Sequence, residues 1–236
     1  MAYNYYDDSS SFAMDREQAY SNYMSNTFRW MAVGLLVTFG VAFATANSIP
    51  LLSFVVRAYL PLTIAELVLV LVFSMRIQTL SRGAATGLFL GYAALNGLVM
   101  SFYFLLFDVE TLFMGFLCSA LFFGLMSWFG LSTEHDLLPM GRVVSIGLIS
   151  LIVCGLVGGL LGMGFFSTVL YSGIGLALFF FITARDVQVL RANFAYFEND
   201  PEMLARCSIH SALSLYLDFI NIFLKVLRLL GNRRRR

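Results

Sequence analysis

The sequence predicts an all-α polytopic membrane protein of seven transmembrane helices, and three observations predict it. Hydrophobic residues fill 59% of the 236 positions and charged residues only 12%, about half the charged share of a soluble domain. Seven apolar runs follow one another, each near the ~20 residues that ~30 Å of hydrocarbon requires at ~1.5 Å per residue. None of them alternates as a spanning β-strand does, and backbone groups in lipid must pair within their own segment. The same numbers exclude a disordered chain, a disulfide-rich secreted module and an ordinary soluble enzyme.

The elements follow in order. Residues 1–28 are polar and rich in Tyr, Ser and Asp. They lack the basic and apolar regions of a signal peptide, so they read as a short N-terminal tail, helical from Asp15 on. The first run is Trp30–Asn47, and Ser48–Ala58, containing Pro50, connects it to the second, Tyr59–Met75. Arg76–Gly83 carries two arginines and leads to Ala84–Phe107. Asp108–Glu110 is a tight acidic turn before Thr111–Leu131. Ser132–Arg142, with Glu134, His135, Asp136 and Pro139, precedes Val143–Leu161. Met163 and Gly164 barely separate that run from the sixth, Phe165–Leu190, and Arg191–Ser208 is the longest loop before the last, Ile209–Leu230. The transmembrane domain is thus 29–231, and 232–236 is a basic C-terminal tail. The connections leave no room for a soluble domain.

The distribution of cations sets the topology. With the N-terminus in the cytoplasm, that side holds Arg16, Arg29, Arg76, Arg82, Arg142, Arg185, Arg191 and Arg206, against Arg57 alone on the other before the C-terminal end. Lys225, Arg228 and the four tail arginines oppose this count at the last span, so seven crossings put a basic tail outside. The tail suits anionic headgroups or serves as a solvated flank. A net charge of +1 gives no argument for nucleic acid. Cys118, Cys154 and Cys207 include no CxxC and read as buried small hydrophobes. His135 and His210 lack zinc-site spacing. Gly155 with Gly159, and Gly158 with Gly162, have the four-residue spacing of close helix packing.

An ionisable group within a membrane helix is a functional candidate, because inserting it costs about 2.5–3.5 kcal/mol or more. Glu66 lies in the second run, Arg76 closes it, Asp186 lies near the end of the sixth and Asp218 inside the seventh. Arg185 and Lys225 stand nearer helix ends, where they can snorkel. The sixth and seventh runs are antiparallel neighbours, so Asp186 and Asp218, roughly 6 and 10 Å from the same end, have similar depth. Arg76 ends on that side and Glu66 is ~15 Å deeper. Two carboxylates in low dielectric do not easily both ionise and share a proton. When ionised they offer a weak, hydrated site to a hard cation such as Ca²⁺, which suits conduction better than storage. Other readings stay open. Asp186 can flank its helix paired with Arg185 or Arg191, Glu66 can glue two helices, and Arg76 can anchor at the interface. Asn96 and Asn221 suit interhelical hydrogen bonds. No catalytic motif such as GxSxG, HExxH or a P-loop occurs, and the two aspartates lack the Tyr-Asp and Gly-x-Gly-Asp settings of an intramembrane aspartyl protease.

At these residues the sequence resembles the bacterial branch of the Bax inhibitor (transmembrane Bax inhibitor motif) family. Ser211–Gly231, SALSLYLDFINIFLKVLRLLG, is similar to the family's last-helix signature. Ser132–Val157 and Met75–Ser101 also match. TARDVQVL resembles a pattern usually written Tyr-Asp-Thr-Gln, with Arg185 and Val187 in place of the tyrosine and threonine. The resemblance implies seven helices with the last at the centre of the other six, and a pH-sensitive Ca²⁺ leak. It implies a proton-sensing pair at Asp186 and Asp218, a latch at Arg76 and an acidic path position at Glu66. No enzymatic activity or cofactor is expected; Ca²⁺ and protons are the ions handled, in a bacterial inner membrane. The alternative is a non-transporting interaction protein that modulates a membrane-bound ATP-dependent protease through its N-terminal tail.

Overall fold

A chain in hydrocarbon has no water to satisfy its amides, so apolar segments coil into helices and bury polar side chains against one another. The computed structural model describes residues 5–76, 79–160 and 169–231. They form α1 Tyr5–Ala46, α2 Ile49–Arg57, α3 Tyr59–Arg76, α4 Arg82–Leu106, α5 Val109–Ser132, a 3₁₀ turn Leu138–Met140, α6 Gly141–Leu160, α7 Val169–Phe197 and α8 Pro201–Leu230. No strand occurs among the described residues.

Five helical segments are long and apolar enough to cross a membrane: Met14–Ala46, Arg82–Leu106, Val109–Ser132, Leu138–Gly155 and Val169–Phe197. A sixth arises if α2 and α3, bent by 76° at their junction, form one broken span. The seventh run of the sequence lies in α8, which is not among these segments. The fold is therefore all-helical with five to six spans recognisable by length and apolarity.

Several connections are shorter than the apolar runs suggest. Ser48–Ala58 is mostly helix, with Pro50 in the first turn of α2, where a missing N–H costs nothing. Arg191–Ser208 is not a loop. α7 continues to Phe197, and Asp200 caps α8 by accepting from the Met203 amide at 2.9 Å. The extension is held by protein contacts rather than lipid. Tyr20 and Tyr23 of α1 pack on Phe194, and Arg16 pairs with Glu198 at 2.7 Å. The polar N-terminal segment thus continues into the first apolar run as one helix, docked on α7 from Arg16 onward. The α6–α7 boundary at Met163 and Gly164, and Gly162 of the packing pattern, lie outside the described residues.

α8 packs against α1, α4, α5 and α7. Ile209, Ala212, Leu215, Tyr216, Ile222 and Leu227 are wholly buried. Its polar side chains tie it to α1. Tyr216 donates to Thr38 Oγ1 at 2.6 Å, and Thr38 donates to the Ala93 carbonyl of α4 at 2.8 Å. Ser208 accepts from Asn26 Nδ2 at 2.9 Å and donates to Thr27 Oγ1 at 2.9 Å. Phe39, Phe116, Phe219 and Phe223 form an edge-packed aromatic cluster between α1, α5 and α8. Cys118 and Cys154 are exposed rather than buried, on the outer faces of α5 and α6, where lipid accepts a small apolar thiol as readily as a core does. Asn221 bonds within its own helix, to the Leu217 carbonyl at 2.8 Å.

Glycine sets the closest helix approach. At Gly130 of α5 a Cβ would lie 2.4 Å from the Ala184 carbonyl oxygen and 2.9 Å from its Cα. That obstacle is backbone and cannot rotate away. Gly124, two turns earlier, has nothing within 4 Å. Gly130→Ala should therefore lower stability in detergent by about 1–3 kcal/mol, while Gly124→Ala leaves thermal unfolding near wild type. Equal midpoints for the two would contradict this packing.

Candidate functional site

The α7–α8 pairing places Asp186 and Asp218 together, two turns or more inside helices that pack along their length. Asp218 lies on the buried stripe of α8 with Leu215, Phe219 and Ile222. It is 4% exposed. Asp186 shares the face of α7 that carries Thr183, Val187 and Leu190. The Asp186 carboxylate, the Thr183 hydroxyl and the Arg185 guanidinium are the groups that act on Asp218. Among the described residues, neither Asp218 Oδ2 nor Thr183 Oγ1 closes a hydrogen bond. An unpaired carboxyl oxygen in such a place is costly, and two carboxylates facing each other raise the cost further.

Arg185 supplies the local countercharge. Its Nη1 lies 3.0 Å from Asp186 Oδ1, while its Nε is buried without a hydrogen bond among the described residues. The guanidinium rests on Gly141 at the start of α6, where a Cβ would sit 2.9 Å from Nη2. Gln188, one turn on, clamps the connection ahead of α6. Its Oε1 accepts from the Leu137 amide at 2.8 Å and its Nε2 donates to the His135 carbonyl at 2.9 Å. The segment carrying Glu134, His135 and Asp136 is therefore fastened to the turn of α7 that bears the acid pair. This clamp was not foreseen from the sequence; Gln188 beside Asp186 in TARDVQVL was its only mark.

The other two sequence candidates lie apart from the pair. Glu66 of α3 faces Asn96 of α4, with Tyr92 nearby; Glu66 Oε1 and Asn96 Oδ1 are buried and take no hydrogen bond among the described residues. Arg76 ends α3 and is exposed, and among the described residues it makes no ion pair. Phe73, one turn earlier, stacks on His210 of α8 at 6.1 Å, so the last turn of α3 does reach the α8 segment that leads to Asp218. Lys225, set aside in sequence as a snorkelling end residue, is 7% exposed and turned inward. Being the only lysine in the chain, two turns beyond Asp218 in an apolar helix, was its available signal. No group of three or more His, Cys, Asp or Glu side chains converges as a metal-ligand set among the described residues. A cation here would meet a pair of carboxyls rather than a cage.

The arrangement makes a checkable claim about Arg185. Measured by denaturant unfolding, Arg185→Gln and Asp186→Asn should be non-additive, with a coupling of about 0.5–1 kcal/mol for a part-exposed pair. Strict additivity would mean that the pair is not formed.

The chain has clear relatives. The profile described as "Inhibitor of apoptosis-promoting Bax1" matches residues 20–235. An uncharacterized protein of Deinococcus radiodurans is 43% identical over 212 residues, covering 90% of each chain. Inner membrane protein YbhL of Escherichia coli K12 is 40% identical over 217 residues, covering 90% of this chain and 92% of that one. An uncharacterized protein of Borreliella burgdorferi is 31% identical over 220 residues, covering 91% and 93%.

Proposed function

From the premise that this chain belongs to the Bax inhibitor family of membrane proteins, we propose that it is a pH-sensitive passive cation leak, chiefly for Ca²⁺. Asp186 and Asp218 are its proton-sensing gate. The observation that carries the reading is Asp218, a carboxyl 4% exposed within the α7–α8 helix pair, with one oxygen unpartnered and a second carboxyl acting on it. Such a group is retained at a cost of about 2.5–3.5 kcal/mol or more, which a purely structural position would shed.

In this reading the pair exists in two charge states. With a shared proton it carries one negative charge, which Arg185 balances. Fully ionised, the two carboxylates repel each other across the α7–α8 seam, exceed the countercharge of Arg185 and attract a second cation. That cation is either the Arg76 guanidinium, acting as latch from the end of α3, or a passing metal ion. Glu66, with Asn96, lines a deeper part of the path. The reading includes seven crossings: the five long apolar helices, the bent α2–α3 pair and α8, whose contacts with four other helices support a central position. It sets the N-terminus in the cytoplasm, as the arginine distribution favours, and the basic C-terminus outside. The membrane is a bacterial inner membrane, as the name of the Escherichia coli relative states for that protein. The protein is not an enzyme and uses no cofactor; Ca²⁺ is cargo.

Reconstituted into proteoliposomes, the protein should carry a Ca²⁺ flux that varies between about pH 5.5 and 8.5. Asp186→Asn and Asp218→Asn should each flatten that dependence, because each leaves a single carboxyl that no longer shares a proton. Unaltered pH profiles in both variants would overturn the sensor. No flux at any pH from folded protein would overturn the leak and leave modulation of a membrane protease, tested by co-purification after deletion of residues 2–25. A second prediction separates path from sensor. Glu66→Gln should reduce Ca²⁺ flux several-fold while the midpoint of the pH profile stays where it is. A shifted midpoint with undiminished flux would place Glu66 in the sensor instead.

A further inference from the structure

The α7–α8 seam continues beyond the acid pair. The helices are antiparallel, so α8 residues after Asp218 meet α7 residues before Asp186. The α7 side of this stretch buries Thr183, Phe179, Gly175 and Ser172. The hydroxyls of Thr183 and Ser172 are buried; that of Thr183 is turned to Asp218, and that of Ser172 has no hydrogen-bond partner among the described residues. This strip of the seam therefore carries two buried hydroxyls, separated by Phe179 and Gly175.

Lys225 stands at the far end of that strip, seven residues after Asp218 and roughly 10 Å along the helix. Its stem lies against Gly175, where a Cβ would be 2.7 Å from Lys225 Cε and 3.2 Å from Nζ. The ammonium sits 4.1 Å over the centroid of the Tyr171 ring. Tyr171 is itself fixed, its hydroxyl donating to the Leu151 carbonyl of α6 at 3.0 Å. The charged group that acts on Lys225 is Arg228, of the same sign. Among the described residues no carboxylate pairs with it. An anchoring lysine extends its ammonium outward to headgroups. This one turns inward and is held by an aromatic face, which attracts a cation without neutralising it.

We propose that the Lys225 ammonium is a charge barrier to divalent cations in the C-terminal half of the α7–α8 seam. The inference rests on the leak reading of the Asp186–Asp218 site. A single positive charge repels a divalent ion twice as strongly as a monovalent ion at the same distance. The carboxyl pair draws a cation in and Lys225 opposes its exit, which keeps the leak slow and makes its rate depend on valence. Tyr171 and Gly175 are positioning residues that hold the ammonium in the seam.

The test compares full-length wild type, Lys225→Met, Lys225→Gln and Lys225→Arg in proteoliposomes, with Ca²⁺ and K⁺ fluxes read separately and thermal unfolding in parallel. Lys225→Met and Lys225→Gln should raise Ca²⁺ flux roughly five- to tenfold more than K⁺ flux, while Lys225→Arg keeps the wild-type ratio. An increase of both fluxes by one factor, as loosened packing would give, overturns the barrier and leaves the leak intact. An unchanged Ca²⁺-to-K⁺ ratio in whichever neutral variant folds does the same. Absence of any wild-type flux overturns the leak reading and this inference with it.

Discussion

Hydrocarbon has no means of solvating a charge, and the positions of Asp186, Asp218, Arg185 and Lys225 follow from that constraint. Each must be faced by another helix, since lipid offers no partner. α7 and α8 supply that mutual cover. The carboxyl pair sits where their packing is supported by α5 through Gly130 against Ala184. The ammonium sits where Gly175 leaves room for a lysine stem. The same two helices therefore hold the carboxyl pair and the ammonium at two levels of one interface.

Rigidity around the seam is unequal. α8 is tied to α1 and α4 by the Tyr216–Thr38–Ala93 relay and by Ser208 with Asn26 and Thr27. α6 has Val144 and little else buried on its described face and packs mainly on α7. Its fastenings are Tyr171 to Leu151, Arg185 against Gly141, and the Gln188 clamp just ahead of it. All three come from the helix that carries Asp186. A change in the charge of the pair, felt first by Arg185, is thereby placed next to the element with the fewest other attachments.

Apolar runs reveal which segments face lipid, and this much of the fold was legible in the sequence. The similar depth of Asp186 and Asp218 followed from helix rise and antiparallel order alone. What escaped was structure stabilised by protein contact. The helical stretch Arg191–Phe197 and the start of α8 are polar enough to resemble a loop, yet Phe194, Glu198 and Asp200 bind them to α1 and to their own helix ends. The bend between α2 and α3 falls at Ala58, three residues before Pro61 in the first turn of α3, a proline that the reading of Tyr59–Met75 as one apolar run passed over. The direction of a long side chain is equally hidden. Lys225 near a helix end could snorkel, and Gly175, fifty residues away in sequence, is what lets it turn inward instead. Arg185 reaches back to Asp186, its neighbour, rather than outward, because Gly141 gives it a bed.

The most direct test of the central claim, that the charge state of the Asp186–Asp218 pair governs how α3 meets the α7–α8 unit, is a distance measurement. Spin labels at Met75 and Tyr196, both on exposed positions, in a background lacking Cys118, Cys154 and Cys207, report the separation of α3 from α7 in lipid. The account predicts two distance populations whose ratio changes with pH in the otherwise wild-type protein and no longer changes in Asp218→Asn. A single distribution, identical at acidic and alkaline pH, would contradict it.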